Sequence, residues 1–361
     1  MTELMHLSTE RNSIRDHVAR HPIVAFIALT YTITWISWPL NNRFDLGIVN
    51  GFGIISLAGP ALSAMIVSAL LKPEPSATSA GRRWRLFAIL SSLALAVMAA
   101  VRLWAAADVV SVAGIVLTTA AYPSLIAFFI DVLAAGVVAF IFSGVYSPRP
   151  GVRQLLHSLN PRSRPVRWYW WAIALGLYPF VIVLGNAISA GLGMPEPTSK
   201  VTGPWYGLVL DVLIMFPYFL FAGGGLEEPG WRGFALPILL KRYSPLNASL
   251  ILAVIWAFWH WPMLQGGVLS MIFYLSLVVA PLGILFTIVF NRTGGSLPIV
   301  ILLHTSINLT EQYLPTSTLA MGIWILLILG LAVWMGRAPQ IFLDREEKTN
   351  EKEAKDKIHA F

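Results

Sequence analysis

The sequence predicts an all-α fold, a polytopic transmembrane bundle of about ten helices, and three observations carry that prediction. First, 57% of the 361 residues are hydrophobic and only 12% are charged, whereas soluble domains carry roughly 25% charged residues. Mean hydropathy is +0.70. Second, apolar runs long enough to cross ~30 Å of hydrocarbon as helices recur from residue 22 to residue 336. Third, Lys and Arg gather in short segments between alternate runs, the distribution that orients helices in a bilayer. Those clusters account for the net charge of +7, so no nucleic-acid partner is expected. Cysteine is absent, which excludes disulfides, thiolate zinc sites and a cysteine nucleophile.

Taken in order, residues 1–21 mix charges of both signs, include Arg11, Arg15 and Arg20, and read as a cytoplasmic tail without a cleavable signal. The apolar runs fall near 22–41, 52–71, 86–106, 109–144, 168–192, 205–240, 246–264, 268–290, 296–313 and 318–336. Two of them, 109–144 and 205–240, exceed the length of one span. Pro123 is positioned to break the first, and the triple glycine Gly223 to Gly225 the second. Loop charge arbitrates between one crossing and two. The N-terminal arginines come first, then Lys72 with Arg82, Arg83 and Arg85. Arg149, Arg153, Arg162, Arg164 and Arg167 follow, then Lys241 with Arg242, Arg292, and the tail after Arg337. All these clusters share one side only if each long run crosses once. Ten crossings of the cell membrane with both termini cytoplasmic is therefore the economical topology. Residues 337–361 balance acidic against basic groups, read as a charged cytoplasmic tail, and carry no prenylation cysteine.

Chemistry concentrates in Phe221 to Pro237, where Glu227 and Glu228 interrupt an apolar run and Arg232 follows. An ionised side chain at mid-bilayer costs at least ~2.5–3.5 kcal/mol, so such groups are paired, water-exposed or functional. In a helix over 226–240, Glu228 and Arg232 lie four apart on one face in the favourable acid-before-base order. Glu227 is rotated ~100° away and stays uncommitted. Helix onset near Leu226 would put Pro229 in the first turn and both carboxylates at the positive dipole end. A purely structural charge cluster would use the same residues.

Two further positions stand out. His260 lies in WAFWHWP, with Trp256 one turn earlier and Trp259 and Trp261 beside it; an interfacial aromatic anchor reads the same way. His304 and Asn308 lie four apart in PIVILLHTSINL and also suit an interhelical hydrogen-bond pair. Glu227 is 14 residues before Lys241, His260 is 14 after Leu246, and His304 is 12 after Arg292. At 1.5 Å per residue these depths are roughly 18–21 Å, one level for three helices. A carboxylate, two imidazoles, an amide and an ion pair at one level suit a water-filled cavity. Asp131 and Asp211, also in apolar runs, are expected to be structurally paired.

These three segments resemble the CPBP family of intramembrane proteases, which includes the Rce1-type CAAX prenyl endopeptidases and the Abi or bacteriocin-immunity proteins. The EExxxR motif is met by Glu227, Glu228 and Arg232. An aromatic followed by three residues and His is met by Trp256 and His260, with Trp where Phe is usual; HxxxN is met by His304 and Asn308. The resemblance covers residues 204–312, leaving 22–200 as N-terminal transmembrane helices and 313–336 as the last transmembrane helix. It implies an intramembrane endopeptidase acting on a membrane-associated peptide or protein. Glu227 would activate water with help from His260, and His304 and Asn308 would stabilise the oxyanion. Glu228, Arg232 and Trp256 would support them. No cofactor is required by this scheme. Zn²⁺ is the one candidate, with Glu227, His260 and His304 as its ligands, although no HExxH is present. The competing readings are a non-catalytic immunity or scaffold membrane protein of the same fold, and a transporter, for which no inverted repeat is visible.

Overall fold

The computed structural model describes residues 14–43, 51–71, 80–106, 111–112, 125–145, 150–162, 165–195, 197–264 and 267–338. Most of both expected tails and Pro123 lie outside the described residues. Residues 14–20, the inner end of the N-terminal tail, are helical and lead directly into the first long helix.

The helices are α1 (Pro22–Arg43), α2 (Gly51–Leu57), α3 (Gly59–Leu71), α4 (Ala80–Ala106), α5 (Leu125–Ser143), α6 (Pro150–His157) and α7 (Tyr169–Gly191). They are followed by α8 (Trp205–Leu240), α9 (Pro245–Trp259), α10 (Gly267–Arg292), α11 (Leu297–Tyr313) and α12 (Thr318–Arg337). Helices α1, α4, α7, α8, α10 and α12 are long and apolar enough to cross a bilayer unaided, and Gly59–Leu71, Phe128–Ser143 and Pro245–Trp259 are shorter apolar helices. The protein is a polytopic helical membrane protein. Helix α11 is the polar exception, and 13 of its 17 residues are buried among its neighbours. A helix carrying His304, Ser306, Asn308 and Gln312 could not face lipid, so the longer apolar helices enclose it.

The run 109–144 is not helical throughout. Its described helix is α5, whereas Ser111–Val112 pairs antiparallel with Val201–Thr202. Within the described residues of this run, Ser111–Val112 is extended and the helix begins at Leu125. The run 205–240 behaves differently. Its 36 residues would extend about 54 Å if straight, but the path breaks at Gly223 (φ −77°, ψ −105°). The break lies within one π-helical stretch, Phe219–Gly224, and a second, Trp231–Ala235, carries Arg232. Such turns mark places where the regular ladder yields to local demands.

Polar pairs fix the remaining helices. Arg102 on α4 donates to both oxygens of Asp131 on α5 at 2.7 and 2.9 Å. Asp211 on α8 accepts from Trp104 Nε1 at 2.7 Å and from the Tyr313 hydroxyl at 2.6 Å. Both aspartates are therefore paired, as expected from their place in apolar runs. Helix α1 is pinned to α9 by side chains that reach its backbone, Tyr31 to the Ile255 carbonyl at 2.6 Å and Trp35 to the Trp259 carbonyl at 3.0 Å.

The two ends of the bundle are separately stitched. At one end the Leu297 N–H donates to the Ser158 carbonyl, so the loops after α6 and α10 meet. At the other, Lys200 reaches the Glu311 carbonyl and Asn186 the Pro315 carbonyl. The arginine-rich loops belong to the first end. In a chain without native cysteine, single cysteines at positions 162 and 242 should be labelled from the cytoplasm, and one at 199 only from outside. Labelling of 162 and 242 from opposite sides would contradict this arrangement.

Candidate functional site

The site forms where α8, α9, α10 and α11 meet, and the triple glycine is what lets them meet. A Cβ on Gly224 would lie 2.9 Å from the Ile301 carbonyl and 2.9 Å from His304 Cβ, and one on Gly223 would lie 2.8 Å from Asn308 Nδ2. Consecutive glycines thus bring the α8 backbone against the face of α11 that carries His304 and Asn308. Any side chain there would push the two motifs apart.

One turn further along α8, Glu228 is fully buried and accepts three hydrogen bonds from charged or polar side chains. Arg232 Nη1 donates to Oε1 at 2.9 Å and to Oε2 at 3.0 Å, and His304 Nδ1 donates to Oε1 at 2.7 Å. The Arg232 guanidinium carbon also lies 4.5 Å from the Trp256 ring and 4.4 Å from the Phe286 ring. Cation–π contacts of this kind strengthen as water is excluded. The expected Glu228–Arg232 pair is present, and His304 joins it.

Glu227 differs from its neighbour. It retains 4% exposure, against 0% for Glu228. Its Oε2 accepts from Trp256 Nε1 at 2.9 Å, and Oε1 accepts no hydrogen bond among the described residues. Trp256 is therefore more than an aromatic neighbour, because it orients this carboxylate while its ring separates the two histidines. The ring centroids lie 5.8 Å from His260 and 5.8 Å from His304.

Both imidazoles are held by the same nitrogen. His260 caps the end of α9, and its Nδ1 donates to the Trp256 carbonyl at 2.8 Å. Since a carbonyl only accepts, Nδ1 carries a proton, and in its neutral form the ring presents an Nε2 lone pair. His304 Nδ1 likewise faces the Glu228 carboxylate, leaving Nε2 for other work. Asn308 forms no side-chain hydrogen bond among the described residues, so its amide is available to a ligand.

Among the described residues, no three His, Asp or Glu side chains are placed to share one metal ion. Glu227, His260 and His304 are not grouped in that way.

Several site residues gave no signal in the sequence. Tyr274 opens the π-helical stretch of α10 (Tyr274–Val279), with its ring 5.3 Å from His260 in an edge-on contact. Trp38 on α1 packs 5.1 Å from Trp259 and 6.3 Å from His260. Phe286 lies 5.4 Å from His304. Each is an aromatic in an apolar run, where core packing is the ordinary expectation.

Comparison with known proteins places this geometry in context. Residues 209–310, which contain every candidate motif, match the family described as type II CAAX prenyl endopeptidase, Rce1-like. The CAAX prenyl protease 2 of Methanococcus maripaludis is 29% identical over 150 residues, covering 38% of this chain and 54% of that protein. The chain thus spans about half the length of the curated relative it matches.

Removing Arg232 would leave Glu228 buried with one cationic partner fewer. Arg232→Ala should cost about 3–5 kcal/mol, read as a lowered melting temperature in detergent. Arg232→Lys should recover only part of that loss, because an ammonium does not stack over the Trp256 and Phe286 rings as the guanidinium does. An Arg232→Ala variant that melts like the wild type would contradict the structural role.

Proposed function

We propose, on the premise that residues 209–310 form an Rce1-like core placing this chain among the CPBP-family membrane proteases, that it is an endopeptidase using water activated by Glu227. The observation that carries this reading is the division of labour between adjacent carboxylates. Glu228 is saturated by Arg232 and His304, whereas Glu227 is oriented by Trp256 and keeps one oxygen open.

In this scheme a water bound at Glu227 Oε1 loses its proton to the carboxylate as its oxygen attacks the peptide carbonyl carbon. His260, fixed through Nδ1, accepts a hydrogen bond from that water at Nε2 and aims it. The carbonyl oxygen becomes an oxyanion between Asn308 and His304. Asn308 donates from its amide, and His304, as an imidazolium neutralised by Glu228, donates from Nε2. Collapse of the tetrahedral intermediate breaks the C–N bond, and the protonated Glu227 returns its proton to the departing amine. Preorganised donors of this kind contribute most where water is excluded.

The substrate is proposed to be a membrane-associated peptide, and the relative's name makes a prenylated C-terminal peptide the first one to try. The protein is placed in the cell membrane with its arginine-rich face cytoplasmic.

The test is cleavage by purified protein in detergent or liposomes, using prenylated and unprenylated peptides. Glu227→Gln preserves shape but cannot take the proton, and should lower the rate by about 10²–10⁴-fold. His260→Ala and His304→Ala should each be severe and add little to Glu227→Gln, since members of one catalytic unit are non-additive. Cleavage by Glu227→Gln at the wild-type rate would overturn the assignment. Activity abolished by a chelator and restored by Zn²⁺ would replace it with a metal-dependent scheme.

A further inference from the structure

The reaction proposed above makes no use of Tyr274, whose ring stands edge-on to His260 at 5.3 Å. A tyrosine among apolar helices normally finds a partner for its hydroxyl. Elsewhere the membrane helices follow that rule. Tyr31 donates to the Ile255 carbonyl, Tyr178 to the Glu311 carboxylate and Tyr313 to the Asp211 carboxylate. Tyr274 does not. Its hydroxyl forms no hydrogen bond among the described residues and is not sealed from solvent.

Local structure keeps this side chain at the site. In a regular α-helix the residue four positions on, Val278, would follow Tyr274 on the inward face. Instead Val278 is 36% exposed and Val279 is 0% exposed. The extra residue in the π-helical stretch Tyr274–Val279 thus lets Tyr274 face His260 while the rest of α10 packs closely on α9. There a Cβ on Gly283 would lie 3.2 Å from Ala253 Cβ. Insertions of this kind are frequent at functional sites. Phenylalanine would make the same ring contact with His260, so packing alone does not call for the hydroxyl.

We infer that Tyr274 contacts the substrate, its hydroxyl donating a hydrogen bond to a main-chain carbonyl of the peptide beside the scissile bond. This assignment rests on the reading of the site as a peptidase. Tyr274 and His260 are half-buried, whereas Glu227 and His304 are buried, so the hydroxyl lies on the more open side of the site. The Trp256 ring stands 5.8 Å from each histidine and divides the site into two halves. The scissile carbonyl is assigned to the half formed by His304 and Asn308. Tyr274 belongs to the other half, beside His260, where a neighbouring carbonyl of an extended peptide would lie. Attachment at two points fixes the scissile bond over Glu227, and orientation of that kind lowers a barrier by restricting freedom before the reaction begins. The hydroxyl keeps its proton throughout.

The test compares wild type with Tyr274→Phe, full-length and in one detergent, against prenylated peptides of several sequences. Tyr274→Phe keeps the ring beside His260 and removes only the hydroxyl. KM should rise about fivefold, as expected for one neutral hydrogen bond, and kcat should stay within about twofold, because the contact is made before and during reaction alike. The rise should be similar for every sequence, since all share the main chain. In a Glu227→Gln background, peptide binding should weaken by the same factor when Tyr274→Phe is added. Thermal melting supplies a readout that needs no substrate. Tyr274→Phe should melt like wild type, whereas Tyr313→Phe, which takes one of two donors from buried Asp211, should melt lower. An unchanged KM would overturn the assignment, as would a loss confined to kcat or to one sequence. So would a fall in melting temperature as large as that of Tyr313→Phe, which would give the hydroxyl a partner within the fold. Wild-type protein that cleaves none of the peptides would remove the peptidase reading itself, and this assignment with it.

Discussion

One carboxylate oxygen, Glu228 Oε1, accepts from both Arg232 on its own helix and His304 on α11. Removing a charge from water costs several kcal/mol even after relaxation, and the cost is offset only when geometry and partner hydrogen bonds are good. Glu228 therefore constrains everything near it. It fixes the rotation of α8, because Arg232 must lie one turn away on the same face. It fixes the register of α11, because His304 must present Nδ1. The glycines at 223 and 224 allow the two backbones to approach closely enough for this to happen.

The same constraint separates the duties of two chemically identical neighbours. Rotation of about 100° per residue turns Glu227 away from Arg232 and toward Trp256, whose indole donates to one oxygen and leaves the other open. Trp256 also flanks both histidines and carries the Arg232 guanidinium on its ring. A single indole thus couples the structural ion pair to the group proposed to activate water. Loosening either side would displace the other.

Much of this was legible in the sequence, and the reasons are physical. Charges in apolar runs are costly enough to identify themselves, so Glu227, Glu228, Arg232, His260, His304 and Asn308 stood out. Helical spacing alone paired Glu228 with Arg232. The kink at the triple glycine was also visible, though its second function, admitting α11, was not. The Glu228–His304 bond joins residues 76 positions apart, and nothing local announces it. Tyr274, Phe286 and Trp38 were hidden because an aromatic in a membrane helix is expected to pack. Trp38 matters most here, because it shows that α1, far outside the recognisable motifs, contributes to the wall around His260. For the run 109–144 the sequence leaves the number of elements open; Ser111–Val112 pairs with Val201–Thr202, a partner some 90 residues away that no local pattern announces.

The claim most open to a direct test is that Glu228 holds the structure together while Glu227 is spared for chemistry. Side-by-side melting of Glu227→Gln and Glu228→Gln in one detergent tests it without any substrate. The account predicts that Glu228→Gln, which leaves Arg232 buried without its counter-charge, melts well below wild type, whereas Glu227→Gln melts close to it. Equal losses, or a greater loss for Glu227→Gln, would contradict the division of labour.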